Sequence, residues 1–499
     1  MIFTKHFIIS CWLMLLIIST NNCFSQSISK EETLMNIKGY PTVFELNIGE
    51  EYNYTRSIND SVVNHTIKLV KVTPYMSPNF WNLDEEGSGV DKFYSSAKVE
   101  VEIDRKLIQL THRSYESPLT IGGVRIYVEA IKPWAHGADL FNLEEMEKDA
   151  RFSVCLADEP WGPSNIGYHI GNYRFRSSSY NNTWGALVPY APIYYHRGED
   201  RGAIPDRLPI YSVISGKVVE TPLPDGDGAS NGLIIKNKDG VVFRYAHMNT
   251  ENIIPDLKKG KSVKQGDLLG YTGSTWLGGK NQTHDPHVHL EMHYERNDKP
   301  ILLSLFPYLI EAYFRHYPDA VLSIAGGYEW TLPGKTIELD GSRSIARPGK
   351  KIKDYKWILH NGKTVENTKV KVKYNIPGLY TEELLVETTD GDIDRDFLQV
   401  RVWPSDKNGK TARNVAWGWI YQSPVRNVKV GEPVMFWNRI HNTVGSVYID
   451  FGDGTPPIKM YNSIDHPFMK PGRYVVAITG KGPQDDPITQ KLEVVVNKK

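Results

Sequence analysis

Alternating apolar and polar residues dominate the first third of the chain. The segments "HTIKLVKV", "AKVEVEID", "KLIQLTH" and "GVRIYVEAI" place apolar residues at every second position and are separated by turn-forming residues. A period of two is typical of half-buried β-strands. The pattern therefore predicts a β-sandwich-like N-terminal domain over residues 40–155. One helix is predicted near its end, over "ADLFNLEEMEKDAR" at residues 138–151.

Short strand–turn–strand patterns follow in a Gly-, Tyr- and His-rich region over residues 161–317. They are "IYSVISGKVVE", "GLIIKNKDGVVFRYAHM" and "LLGYTG", and Asp239-Gly240 is the expected hairpin turn in the second of them. The region closes with "LLSLFPYLIEAYFRHY", whose apolar residues recur at helical spacing and predict an amphipathic helix.

The rest of the chain divides into two similar units, residues 319–404 and 414–497. Each has the pattern of a small antiparallel β-sandwich, with Pro377-Gly378 and Pro471-Gly472 as turns before a strand. The predicted fold class is thus mainly β, with four domains. A length of 499 residues agrees with two to four domains.

Charge and composition exclude one class of partner. Hydrophobic residues make up 40% of the chain and charged residues 23%, as in soluble globular proteins. Lys plus Arg and Asp plus Glu both number 58, so no overall field attracts nucleic acid. We therefore expect no nucleic-acid partner.

The first residues resemble a secretory signal. Lys5 and His6 precede an apolar run from Phe7 to about Ile18, and a polar stretch then leads to a cleavage site near Ser25. A membrane anchor is the alternative, but the run is shorter than the roughly 20 apolar residues that a span needs. A lipid anchor on Cys23 is disfavoured by the residues before it. We expect a signal peptide over residues 1–25, a secreted or periplasmic protein and no transmembrane span after cleavage.

Cysteine usage predicts a mature chain without internal disulfides. Of the three cysteines, Cys11 and Cys23 lie in or beside the signal, which leaves Cys155. The stability of the protein must then come from packing, despite an oxidising destination.

Candidate chemistry begins with "THDPHVHLEMH", which holds four of the 15 histidines. In a strand, His287 and His289 point to the same face, but such a pair alone is more often structural. The motif "HRGED" adds His196 and Asp200. Two imidazoles and one carboxylate make a three-ligand zinc site whose fourth position stays open for water, as in catalytic sites.

A further histidine, His247 in "RYAHMN", ends a predicted strand. A histidine that does not bind the metal can accept a proton from the zinc-bound water or stabilise the oxyanion that forms. His287 has the same potential role from the strand that carries a ligand.

Taken together and in order, "HRGED", "YAH", "GKSVKQGDLLGYTGS" and "PHVHLE" resemble the zinc metallopeptidases of the M23 (LytM/lysostaphin-like) family. The resemblance covers about a fifth of the chain. It implies that Zn²⁺ is held by His196, Asp200 and His289, and that His247 and His287 are the catalytic histidines. His284 and His293 match no family ligand. We expect His293 at the surface near a strand end and His284 at the rim of the cleft.

Two segments depart from the family pattern. "DRLPIYSV" replaces a Gly-Thr-Pro-Val-like turn, and the loop "STWLGGKNQTHD" before His287 is longer than usual. Both are expected to border the cleft, so they bear on substrate choice more than on metal binding. No ligand or catalytic histidine is missing.

The two C-terminal units resemble PKD-type β-sandwiches. "LDGSRS", "YKWIL" and "PGLY" carry the resemblance in the first, and "DFGDG" and "PGRY" in the second. Such modules imply spacing, carbohydrate adhesion or partner contact, and a purely structural role is equally compatible. Asp390, Asp450 and Asp453 lie in turns where Ca²⁺ could bind, although solvated turn carboxylates are the simpler interpretation.

Three functions remain open from the sequence. The leading hypothesis is a secreted zinc endopeptidase of M23 type that cleaves peptidoglycan or glycine-rich peptides. The second is a metal-assisted lyase or dehydratase that forms unsaturated uronic acid ends on polysaccharides or oligosaccharides. It is motivated by the adhesion-type modules, by the lack of a recognisable wall-binding domain and by unusual cleft loops rich in Tyr, Trp, Arg and His. Four arginines that flank the motifs could meet an anionic sugar, although solvation at the surface is the simpler interpretation: Arg197, Arg201, Arg207 and Arg244. The third is a non-catalytic adhesion or scaffold protein.

Overall fold

The computed structural model describes residues 33–58, 61–78, 92–137, 146–163, 166–167, 183–188, 194–201, 208–221, 232–248, 254, 256–273, 275, 287–296, 299–403 and 415–498. Within these ranges the chain is mainly β, built largely from antiparallel sheets, which confirms the predicted fold class. The predicted signal peptide lies outside the described residues. Among the helices in the described ranges, none has the length and apolar character needed to cross a membrane.

The N-terminal sandwich consists of a five-stranded sheet, in the order β1-β2-β9-β8-β7, and a four-stranded sheet, β3-β4-β5-β6. A shared hydrophobic core lies between the two sheets. Its elements are Thr33–Met35 (β1), Thr42–Leu46 (β2), Glu51–Ile58 (β3), Ser61–Pro78 (β4), Lys92–Ile103 (β5), Lys106–His112 (β6), Leu119–Ile121 (β7), Val124–Ile131 (β8), Lys132–Gly137 (α1) and Ala150–Leu156 (β9).

The prediction of a helix over residues 138–151 is wrong for residues 146–151, the part of this segment that the structure describes. Residues 146–149 are irregular, and Ala150 and Arg151 open strand β9 instead. Both are buried between strands β2 and β8. Packing in the sheet therefore overrides the helical propensity of the Glu- and Lys-rich segment. Cys155, on the same strand, is a buried free thiol.

The central sheet has the order β12-β19-β16-β15-β14-β17, and β20 also pairs with β19. All of these pairs are antiparallel. The elements of this region are Leu187–Val188 (β10), Tyr194–Tyr195 (β11), Glu199–Arg201 (β12), Pro209–Tyr211 (β13), Gly216–Glu220 (β14), Leu233–Lys236 (β15), Val241–Ala246 (β16), Ser262–Val263 (β17), Leu268–Tyr271 (β18), Val288–Arg296 (β19), Lys299–Leu303 (β20) and Phe306–His316 (α2).

Two sequence predictions for this region are confirmed. Residues Asp239-Gly240 form the turn between β15 and β16, and Gly240 has a φ of 86°, the left-handed conformation that glycine adopts without strain. Helix α2 lies within the segment predicted as helical, and its apolar face packs into the same core as the central sheet.

The C-terminal region contains two cores, but one sheet runs through both units. Strand β28 of the first unit pairs in parallel with β37 of the second, through Leu379 and Ile488. The two antiparallel sandwiches predicted from sequence are therefore joined, and parallel pairs also occur at β22–β29 and β31–β37. The strands are Val321–Leu322 (β21), Tyr328–Thr331 (β22), Thr336–Asp340 (β23), Ile345–Ala346 (β24), Ile352–Ile358 (β25), Thr364–Glu366 (β26), Lys369–Lys373 (β27), Gly378–Thr388 (β28), Ile393–Val402 (β29), Trp417–Ser423 (β30), Val428–Lys429 (β31), Pro433–His441 (β32), Val444–Asp450 (β33), Ile458–Met460 (β34), Ser463–Pro467 (β35), Gly472–Lys481 (β36) and Pro487–Asn497 (β37).

Candidate metal centre

Three residues predicted as metal ligands meet at one edge of the central sheet. His196 precedes strand β12, Asp200 lies on β12, and His289 lies directly opposite Asp200 on β19. One nitrogen or oxygen from each of the three lies within 4.8 Å of the others. Asp200 Oδ1 is 3.1 Å from His196 Nε2 and 2.9 Å from His289 Nδ1. The three donor atoms therefore converge on one point.

Hydrogen bonds orient both imidazoles of this group. His196 Nδ1–H donates to the carbonyl oxygen of Gly198 at 2.9 Å, and His289 Nε2–H donates to Glu291 Oε1 at 2.8 Å. The opposite nitrogen of each ring consequently faces Asp200. A histidine that binds a metal usually donates its other N–H to a carbonyl or carboxylate in this way. The donor set of two imidazoles and one carboxylate thus fits zinc with an open fourth position.

Glu291 is the functional candidate that the sequence reasoning did not single out. Its carboxylate accepts the bond from His289, and Arg244 Nη1 lies 3.4 Å from both of its oxygens. Arg244 is the cross-strand partner of Glu291 on β16. The period of two along β19 was the available signal, because His287, His289 and Glu291 all point to one face.

Asp200 is held as a carboxylate. Burial alone would raise its pKa, but the nearby His196 and His287, with hydrogen bonds from His196 and His289, outweigh burial and hold the pKa well below its usual range. A negative charge at this position is what a divalent cation needs from its carboxylate ligand.

The two predicted catalytic histidines lie beside the three ligand candidates. The rings of His247 and His287 are 4.6 Å apart, and His287 Nε2 is 3.6 Å from Asp200 Oδ1. His287 lies at the start of β19, where its N–H donates to the carbonyl oxygen of Gly273 at 2.7 Å. The structure therefore brings all five predicted site residues together.

His247 has an unusual backbone conformation. Its φ is 61°, in the left-handed region that is uncommon for residues other than glycine. Its Nδ1–H donates to the carbonyl oxygen of Thr275 at 2.5 Å, which leaves Nε2 as the acceptor nitrogen. Such strain persists where the surrounding structure imposes it, often at functional sites, at a cost of about 1–3 kcal/mol.

The charge state of His247 suits a proton acceptor. Burial, followed by the neighbouring His287 and His289, lowers the pKa of His247 well below its usual range. The imidazole is therefore neutral at pH 7. His247 and His289 are half-buried, whereas His196, Asp200 and His287 are buried. The group thus opens to solvent on the side of His247 and His289.

Two of the arginines expected at the surface are buried. Arg201 is a buried residue of β12, and its guanidinium donates to Glu199 at 2.6 Å and to the carbonyl oxygen of Asp200 at 2.8 Å. Arg197 packs over the ring of Trp134. Solvation at the surface is therefore wrong for both, and neither faces an anionic sugar. Arg244 is half-buried beside Glu291, and Arg207 lies outside the described residues.

Of the two histidines that match no family ligand, the structure describes His293 but not His284. His293 lies within β19, half-buried, and pairs across the sheet with Val242 and Leu302. The prediction that His293 lies at the surface near a strand end is wrong, because β19 continues to Arg296 beside strand β20. His284 and most of the loop that precedes His287 lie outside the described residues, so the expectations for them stay predictions.

Gly198 allows the close approach of the ligand segment to His289. A Cβ atom at this position would lie 2.6 Å from the carbonyl oxygen of Leu290 and 2.8 Å from His289 Nε2. Gly198→Ala is therefore expected to push β12 away from β19 and to weaken zinc binding at least tenfold, measured by competition with a chelator. Gly472→Ala is the matched control, because its Cβ would meet nothing closer than 3.4 Å. Equal zinc affinity in both variants would contradict this role.

Glu291 offers a test of the bond that orients His289. Glu291→Ala removes the acceptor of His289 Nε2–H, and loss of such an outer partner typically lowers metal affinity roughly 10–100-fold. Glu291→Gln keeps an acceptor oxygen and should lose less. The control is Glu295→Gln, an exposed position on the same strand. Zinc affinity measured by chelator competition should rank wild type and Glu295→Gln first, then Glu291→Gln, then Glu291→Ala, and any other order would refute the role of this bond.

Comparisons with known proteins match the region of these residues to a known family. Residues 194–301 match the model of Peptidase family M23. Over 80 residues the chain is 36% identical to the cell division protein DipM of Caulobacter vibrioides, covering 16% of this chain and 12% of DipM.

Two solved structures are also similar. A candidate glycyl-glycine endopeptidase LytM from Ruminococcus gnavus has a TM-score of 0.20 and 28% identity, over 23% of this chain and 43% of that chain. Lysostaphin of Staphylococcus simulans has a TM-score of 0.24 and 16% identity, over 50% of this chain and 99% of that chain. The chain thus spans about an eighth of DipM and less than half of the LytM chain.

Proposed function

Because residues 194–301 belong to peptidase family M23, we propose that the protein is a secreted zinc endopeptidase. In this proposal it cleaves peptide bonds in cell-wall peptidoglycan or in glycine-rich peptides. The observation that carries the proposal is the convergence of His196, Asp200 and His289 on one point, with two further imidazoles beside it. The substrate class rests on the family resemblance of the motifs.

In this proposal the ion is held by His196 Nε2, Asp200 Oδ1 and His289 Nδ1. When bound, zinc lowers the pKa of its water towards ~7 and polarises the carbonyl of the substrate. His196 and His289 keep their orientation through Gly198 and Glu291. Asp200 would supply its carboxylate oxygen, and the positive charge of the bound ion itself favours the ionised form of this carboxyl group.

The two remaining histidines handle protons and charge. His247 is neutral and has its proton on Nδ1, so Nε2 can accept a proton from the attacking water. Once protonated, it can donate to the leaving amine. His287 is buried beside Asp200. In this proposal its imidazole stabilises the negative charge that develops on the carbonyl oxygen.

The elimination reaction on uronates loses part of its motivation. Part of it was a set of arginines that could meet an anionic sugar, but Arg197 and Arg201 are buried, against Trp134 and Glu199 respectively. The adhesion hypothesis has no need of the paired histidines His247 and His287 beside the ligand candidates. Peptide hydrolysis uses all five residues.

The decisive assay offers peptidoglycan, glycine-rich peptides and uronate-containing oligosaccharides to the purified protein, with and without a chelator. New amino termini that disappear with chelator support the peptidase. Absorbance from newly formed unsaturated uronates, without new amino termini, would refute it in favour of elimination. If zinc-loaded protein changes none of these substrates, the proposed activity is also refuted.

The architecture proposed around this activity keeps the predicted segments. They are a signal peptide over residues 1–25, an N-terminal domain over 40–155, a catalytic domain over 161–317, and two PKD-like domains over 319–404 and 414–497. A spacing or adhesive role for the last two stays a prediction.

A further inference from the structure

The residues on either side of His196 are anchored in the N-terminal sandwich. Tyr195 is 4% exposed and belongs to the hydrophobic core of that sandwich. Its hydroxyl donates to the carbonyl oxygen of Tyr94 on β5 at 3.1 Å, and the two rings meet edge to face with centroids 6.0 Å apart. Tyr195 therefore attaches the chain to the N-terminal sandwich immediately before His196.

On the other side, Arg197 is 7% exposed and its guanidinium lies 5.9 Å from the ring centroid of Trp134. Trp134, on helix α1, is 3% exposed and packs against the rings of His112 and Trp184. A cation over the face of tryptophan is attracted by the ring, more strongly when water is excluded. Tyr195 and Arg197 thus both end in the N-terminal sandwich, while the donor atom of His196 faces Asp200.

The backbone of His196 belongs to a hairpin of residues 183–188 and 194–196, built on strands β10 and β11. This hairpin also docks on the N-terminal sandwich. His196 N–H donates to the carbonyl oxygen of Ala186 at 2.7 Å, and its own carbonyl accepts from Gly185 N–H at 2.8 Å. On this hairpin, Trp184 Nε1–H donates to the carbonyl oxygen of Glu129 on β8 at 2.8 Å. The same residues also bond to the central sheet, where Thr183 Oγ1–H and Trp184 N–H donate to Glu199 on β12. The position of the first ligand candidate is therefore set in part from outside the central sheet.

The other site residues have different supports. Asp200 and His289 are paired within the central sheet, and His247 and His287 lie at the ends of sheet strands. His196 precedes β12 and takes no part in that pairing. One donor of the metal centre is consequently positioned by the N-terminal sandwich and the other two by the central sheet.

We infer that the N-terminal sandwich is a positioning element of the metal centre, and that Trp134 holds Arg197 and thereby orients His196. The inference deepens the proposed function, on which it rests for the identity of the metal. It gives the N-terminal sandwich a task that a separate binding module would not have, because its removal would take away the contacts that hold Tyr195 and Arg197 on either side of His196.

Zinc affinity of the full-length protein, measured by chelator competition after removal of metal, tests the inference without any substrate. Trp134→Ala should weaken zinc binding about 10–100-fold, as loss of an outer support does. Trp134→Phe, which keeps an aromatic face for Arg197, should recover most of the affinity. Trp357→Ala is the matched control, because Trp357 is equally buried but belongs to the core of the first C-terminal unit.

Wild-type affinity in a folded Trp134→Ala variant, or an equal loss in Trp357→Ala, would overturn the inference. Should Trp134→Ala fail to fold, Tyr195→Phe decides instead. That change removes only the hydroxyl that bonds to Tyr94, and it should weaken zinc binding severalfold, whereas an unchanged affinity would overturn the inference. Wild-type protein that binds zinc but cleaves no peptide would refute the proposed function alone, so the two failures are distinguishable.

Discussion

His289→Ala is expected to yield a folded protein that holds no zinc and cleaves no peptide. In the proposed site His289 supplies one of the three donors, and its Nδ1 lies 2.9 Å from Asp200 Oδ1. Removing a direct ligand should cost more metal affinity than the roughly 10–100-fold that an outer partner contributes. The measurement is zinc content after dialysis, together with the release of amino termini from peptidoglycan.

The control for this variant is His293→Ala. His293 points to the same face of β19 four residues further on, yet its imidazole is not among the three that converge. It should retain one zinc per chain and cleave at close to the wild-type rate. A His289→Ala protein that still carried stoichiometric zinc would show that the ligand set is wrong.

His247→Ala is expected to give the opposite division of effects, with zinc retained and turnover lost. His247 is no part of the converging group, and its imidazole is held by Thr275 as a neutral proton acceptor. Loss of a general acid–base group typically lowers the rate by 10²–10⁴-fold. The measurement is kcat on a peptide substrate, beside zinc content by elemental analysis.

The backbone at His247 calls for a second variant. Alanine at a φ of 61° is strained, whereas asparagine tolerates this conformation. His247→Asn therefore separates loss of the imidazole from a change in the backbone, and it should lose turnover to the same extent. If either variant lost its zinc, the division between ligands and catalytic histidines would be wrong.

Part of this site could be predicted from local patterns in the sequence. Alternation along a strand places His287 and His289 on one face, and the same rule extends to Glu291 and His293. The pairing of Asp200 with His289 joins residues 89 positions apart, which no local pattern encodes. Only the ordered family motifs could bring them together before the structure did.

Tertiary contacts account for what the sequence did not reveal. The period of two predicts which side chains of a strand point inward, but not what covers them. It could not indicate that Arg197 meets Trp134 or that Arg201 meets Glu199. The same reason explains the failure at residues 146–151, where sheet packing outweighs helical propensity. It also explains why the shared sheet of the C-terminal units was missed.

The metal content of the purified full-length protein shows most directly whether these residues form a zinc site. Elemental analysis should find one zinc per folded chain, removable by chelator and restored by added zinc with recovery of peptide cleavage. A folded protein that contains no stoichiometric transition metal, and takes up none when zinc is supplied, would contradict the proposed zinc site.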